Sequence, residues 1–182
     1  MSLINEEDSI LLIIDVQEKL VNAIFNKDFA ESKSAILAKA ANILNIPAIV
    51  TEQYPKGLGN TVLKIKESLL PETKFFEKTS FSALDSQDLF EHLKNIQRKQ
   101  IIIFGIETHI CVSQSANALV EAGYEVFVVS DACGSRAETE HLAGLSRMKD
   151  NGVKTVTTEI VLFELLKSAK HPNFKEIQNL IK

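Results

Sequence analysis

The chain has 182 residues, 45% of them hydrophobic and 24% charged, with a net charge of −4 at neutral pH. That size and apolar content suit one folded unit with a sizeable core, read as a single domain over 1–182. Acids and bases are mixed along the chain, so nucleic acid finds no basic block, and no apolar run is long enough for a membrane span.

Two cysteines, Cys111 and Cys133, are too few for a disulfide framework, and no histidine pair near them makes a zinc site. The acidic start at 1–8 lacks a signal-peptide pattern, so a cytoplasmic location is expected. In chain order, residues 10–15 read as a buried strand ending in a carboxylate. Residues 29–44 carry Ala, Leu and Ile at helical spacing, and 46–51 form the next strand. A Pro/Gly loop follows at 53–59. Strand three spans 74–77, a helix 88–97, and strand four 100–104. Residues 109–122 read as a helix with an apolar stripe of Val112, Ala116, Leu119 and Val120, stopped by Gly123. Strand five spans 125–130, a helix 138–151, and strand six 153–156. Helical segments at 159–168 and 172–182 close the chain. Their Leu162, Phe163, Leu165 and Leu166 either pack on the sheet, the preferred reading, or supply an interface. Continuous apolar strands alternating with helices imply a three-layer α/β/α fold with a parallel sheet covered on both faces. Ligands in such folds bind at the carboxyl ends of the strands, where strand order reverses.

Three reactive side chains fall on that edge. Asp15 closes strand one, Lys78 follows strand three, and Cys111 follows strand four near a helix start. A cysteine at a helix N-terminus feels the positive end of the helix dipole, which favours the thiolate nucleophile. Cys111 also fits the ordinary role of a small buried apolar residue. Likewise Asp15 can cap a turn, and Lys78 can be a solvated loop residue. Their shared edge favours function, with a carboxylate to move the thiol proton and an ammonium to stabilise charge. On the Cys111 helix, small Ser115 and Ala118 leave room beside the sulfur. His109 is too close in sequence to share a face with Cys111. His92, His141 and His171 read as surface residues. Cys133 reads as structural, and Gly134 as part of a tight turn. No Gly-rich nucleotide fingerprint is present.

Three segments, in this order, resemble the isochorismatase-like superfamily of cysteine hydrolases. They are Leu11-Leu-Ile-Ile-Asp15-Val-Gln17, Lys78-Thr-Ser-Phe-Ser82 and Gly105-Ile-Glu-Thr-His-Ile-Cys111-Val. The stretch from Gly123 to Cys133 fits the same family. Residues 51–59 and 171–178 look most like the isochorismatase-domain-containing proteins, relatives of the YcaC-type hydrolases. The resemblance implies a Rossmann-like six-stranded parallel sheet in the order 3-2-1-4-5-6. It implies Cys111 as nucleophile, Asp15 as general base and Lys78 as third member of a catalytic triad. It also implies a cis peptide at Ile106–Glu107 and an oxyanion hole from the backbone N–H groups of Glu107 and Cys111. Gln53, Tyr54, Phe81, Glu107 and Thr108 are candidates to line the substrate pocket.

The region after strand two reads Glu52-Gln-Tyr-Pro-Lys56, without the histidine of metal-binding nicotinamidases, so no metal or other cofactor is expected. The implied activity is hydrolysis of a small C–N, amide-type substrate through a Cys111 thioester. The implied assembly is a homo-oligomer, with no nucleic-acid or membrane partner. Two alternatives stay open: a non-catalytic or redox-responsive protein of this fold, and a vinyl-ether hydrolase of the isochorismatase type.

Overall fold

In the computed structural model, which describes residues 2–182, six strands form one sheet. They are β1 (Ser9–Ile14), β2 (Ala48–Gln53), β3 (Lys74–Lys78), β4 (Gln100–Ile106), β5 (Glu125–Gly134) and β6 (Lys154–Val156). All neighbours pair parallel, in the order β3-β2-β1-β4-β5-β6. Among the described residues nine helices surround the sheet. The first four are α1 (Glu18–Val21), α2 (Lys27–Ile43), α3 (Pro55–Leu58) and α4 (Leu63–Lys66). The rest are α5 (Gln87–Ile96), α6 (Ser113–Glu121), α7 (Glu138–Asp150), α8 (Thr158–Leu166) and α9 (Phe174–Asn179). None of them is long and apolar enough to cross a membrane.

The continuous apolar runs account for the centre. Every residue of β1 and β4 is buried, because helices cover both faces of a parallel sheet. Each large aliphatic side chain buried there contributes about 1.5–3 kcal/mol relative to exposure. On α2, Ala30, Ala35, Leu37, Ala38 and Ala41 form the inward face. Small alanines let that helix lie close to β5. On α8, Val161, Leu162, Leu165 and Leu166 are buried while Phe163 stays exposed. Three of the four apolar residues at 162–166 therefore belong to the core.

The shape of the sheet's carboxyl edge depends on Gly105. This residue pairs with Ile14 and has φ +133°, and a Cβ there would overlap the Ile14 carbonyl oxygen. Only glycine allows β4 to press so closely on β1. That close approach brings the ends of β1 and β4 together where the strand order reverses.

Several boundaries differ from the sequence reading. β5 continues to Gly134, so Cys133 and Gly134 extend a strand and do not form a tight turn. Lys78 is the last residue of β3, held by its register with Gln53. The 53–59 loop contains the short helix α3. The final helix is only six residues long. A single π-type turn (Thr108–Val112) precedes α6, so Cys111 lies inside that turn and not at a free helix N-terminus.

Candidate active site

Asp15 follows β1 in a left-handed conformation (φ +49°), which aspartate tolerates better than most residues. Its backbone N–H donates to the Thr51 carbonyl at 3.2 Å, so the next strand holds the bend. The side chain is fully buried. Lys78 reaches it across the end of β2, with Nζ donating to Asp15 Oδ2 at 2.6 Å. The two side chains are 1% and 0% exposed, which makes this a buried ion pair. Its ammonium also donates to Gln53 Oε1 at 2.7 Å and to the carbonyls of Ser80 at 3.2 Å and Phe81 at 3.3 Å. Saturating the ammonium in this way is what makes a buried lysine tolerable.

Cys111 is buried beside this pair, and both charges act on its thiol. Burial pushes the Cys111 pKa up to about 12; the Asp15 carboxylate adds to the rise and Lys78 opposes it. The resting cysteine is therefore a thiol. The expected free helix N-terminus is absent at Cys111, which lies inside the turn, and burial raises the thiol pKa where a lowered one was expected. A thiol of that kind needs a base at the moment of reaction, and the carboxylate next to it can serve. Cys133 is also buried with its pKa pushed up to about 12, again by burial. It lies in β5 opposite Gly105.

The turn that carries Cys111 is tied down from several sides. The Ile106–Glu107 peptide is cis. Glu107 accepts from Arg136 Nε at 2.9 Å. His109 Nδ1 lies 3.0 Å from Ser135 Oγ. Helix α7 packs behind the turn at Gly144, where a Cβ would come within 2.8 Å of His109 Cα.

The residues expected to line a pocket fall into two groups. Tyr54 and Phe81 are exposed at the sheet's carboxyl edge, and Tyr54 also lines a cleft of about 460 Å³ with Pro55, Lys56 and Ser80. Glu107 is mostly covered by its pairing with Arg136. Gln53 and Thr108 have other duties. Gln53 spends its side-chain oxygen on Lys78 and its amide on the Thr79 carbonyl. Thr108 is fully buried, with its hydroxyl 2.9 Å from His141 Nδ1. His141, expected at the surface, is buried by this contact and by the edge of Phe25, and burial lowers its pKa. Ser115 was expected to leave space beside the sulfur. It is instead buried, and its hydroxyl accepts from the Ala83 N–H at 2.8 Å. Among the described residues no group of three or more His, Cys, Asp or Glu is placed to hold a metal ion.

Sequence reasoning missed Thr51 and Gln17. Thr51 Oγ1 donates to Asp15 Oδ1 at 2.7 Å. The Gln17 side chain bonds the Gln53 N–H at 2.7 Å and the carbonyls of Gln53 and Gly59 at 3.0 and 2.7 Å. The signal for Thr51 was its spacing. Residues two apart on a strand share a face, and Gln53 was already on the edge in question.

The parallel sheet, with a buried Asp–Lys pair and a buried cysteine at its strand-order reversal, makes this a doubly wound α/β protein. Residues 9–160 match the family described as the isochorismatase domain. Isochorismatase domain-containing protein 2 of Danio rerio is 46% identical over 180 residues, spanning 98% of this chain and 89% of that protein. The solved structure of MAR1 ribonuclease from Caenorhabditis elegans is 40% identical, with a TM-score of 0.94 over 99% of this chain and 92% of that one. The YcaC protein of Escherichia coli, described as an octameric hydrolase of unknown specificity, is 25% identical with a TM-score of 0.90, over 100% and 95%. The chain belongs to the isochorismatase family and has the fold of its hydrolases.

Proposed function

We propose that this protein is a metal-independent cysteine hydrolase cleaving a C–N bond of a small amide-type substrate. The observation that carries the reading is the buried Lys78–Asp15 pair (2.6 Å) set against the buried Cys111. Asp15 takes the thiol proton as sulfur attacks the substrate carbonyl carbon. The C=O electron pair moves onto oxygen, and the backbone N–H groups of Glu107 and Cys111 receive the oxyanion. Asp15 returns the proton to the leaving nitrogen as the C–N bond breaks, leaving a thioester on Cys111. Water then attacks the thioester and gives Asp15 a proton. The thioester C–S bond breaks, the acid leaves, and the proton returns to sulfur. Lys78 stays charged throughout and stabilises the carboxylate. Tyr54, Phe81 and Glu107 contact the substrate at the mouth of the site, while Gln53 and Thr108 support it from behind. A cytoplasmic homo-oligomer is part of the same reading, and the octameric YcaC neighbour supports the oligomer.

A second reading, RNA hydrolysis, comes from the ribonuclease named for the C. elegans structure. The nearly inaccessible site and the net charge of −4 favour the small substrate. The experiment is product release from a panel of small amides and hydroxamates, with single-stranded RNA and a small vinyl ether alongside, for the wild type and Cys111→Ala. The reading predicts amide turnover that is lost in Cys111→Ala. RNA cleavage surviving the substitution would replace it with the second reading. Vinyl-ether hydrolysis surviving the substitution would point to isochorismatase-type chemistry. A reactive Cys111 without turnover on any of these would indicate a redox or scaffold role.

A further inference from the structure

Thr51 and Gln53 alternate on β2, so their side chains leave the same face of the strand. One reaches the anion of the buried pair and the other the cation. Gln53 takes one N–H of Lys78, Asp15 takes a second, and the Ser80 and Phe81 carbonyls share the third. Thr51 takes the carboxylate oxygen that Lys78 leaves free, Oδ1. Its hydroxyl oxygen also lies 3.3 Å from the Asp15 backbone nitrogen. Both contacts of this hydroxyl therefore go to Asp15.

Valine has nearly the same shape and suits a buried central strand at least as well, without a hydroxyl to desolvate. The hydroxyl's contacts to Asp15 are what threonine adds at this position. An aspartate carboxylate turns freely about its last torsion. Held by Lys78 on Oδ2 alone, it could swing about that bond. Held on both oxygens, its plane is fixed. We infer that Thr51 is a positioning residue for proton transfer from Cys111: it fixes the Asp15 carboxylate plane so that a free lone pair meets the thiol. The inference rests on the acid–base role of Asp15 proposed above.

The test is the rate of Cys111 alkylation by iodoacetamide, located by peptide mass, across about pH 6 to 8.5. Transfer from Cys111 to Asp15 moves a proton within the site and leaves the total unchanged. The rate is then flat with pH. Without a working internal base, hydroxide must remove the proton, and the rate rises about tenfold per pH unit. The wild type should be flat. Thr51→Val should be at least about tenfold slower near pH 7, with a slope approaching one, and Thr51→Ser should restore the flat profile. If Thr51→Val does not fold, Thr51→Ala against Thr51→Ser reads the same slope. A flat profile at the wild-type rate in the hydroxyl-free variant would overturn the inference. Asp15→Asn separates the two claims. A rising slope there with a flat Thr51→Val removes only the role of Thr51. A flat wild-type rate in Asp15→Asn removes the acid–base reading itself.

Discussion

Replacing Lys78 with Met keeps much of the side-chain volume and removes the charge. It strands the Asp15 carboxylate, which is completely buried and loses its 2.6 Å partner, and it takes the donor from Gln53 Oε1. Breaking a buried pair by removing one member costs about 3–5 kcal/mol, because the remaining ion is neither solvated nor compensated. For a domain of this size that is a fall of roughly 6–20 °C in the unfolding midpoint. The chain has no tryptophan, so far-ultraviolet circular dichroism in urea is the suitable probe. The double variant Asp15→Asn/Lys78→Met should recover part of the loss, since no lone charge remains. A Lys78→Met protein within about 1 kcal/mol of the wild type would show that the pair is not desolvated, because only a solvent-exposed pair is worth so little.

Both thiols have folded pKa values raised from 9.0 to about 12. The unfolded chain then loses thiol protons at a lower pH than the folded one. That part of the stability is complete below about pH 9 and falls away as the pH rises toward 12. Urea midpoints should drop over this window, and Cys133→Ser should flatten the drop; no difference between the variants would contradict the assignment. Gly105→Ala should prevent normal folding, since the added methyl meets the Ile14 carbonyl and the φ is unsuited to alanine. Soluble Gly105→Ala protein with wild-type circular dichroism would count against that packing. Ser115→Ala leaves the Ala83 N–H buried without a partner and should cost about 1–3 kcal/mol in urea unfolding; an unchanged midpoint would mean the bond is replaced by water.

The fold was largely legible because its signals are local. The runs at 10–14 and 101–104 are apolar on both faces, as a covered parallel strand requires, and the matching motifs implied the strand order. The placement of Asp15, Lys78 and Cys111 on one edge followed from strand ends. What surrounds them did not, because it depends on tertiary reach. The Cys111 pKa is raised chiefly by burial under the turn and its neighbours, which distance to a helix start does not reveal. Ser115 looked available from helix spacing and Thr108 stood among the pocket candidates, yet each hydroxyl is taken by a residue distant in the chain, Ala83 and His141 respectively. Thr51 was hidden inside an apolar strand, and only the position of the Asp15 carboxylate gives it meaning.

A covalent acyl group on Cys111 would register in the intact-protein mass after acid quench. Protein mixed with an activated small acyl substrate, such as a p-nitrophenyl ester or an anilide, should gain one acyl mass that maps to Cys111 and disappears as product forms. The same mixture with Cys111→Ser or Asp15→Asn should show far less adduct or none. Turnover of the substrate with no adduct at Cys111, or equal turnover in Cys111→Ser, would rule out the thioester mechanism.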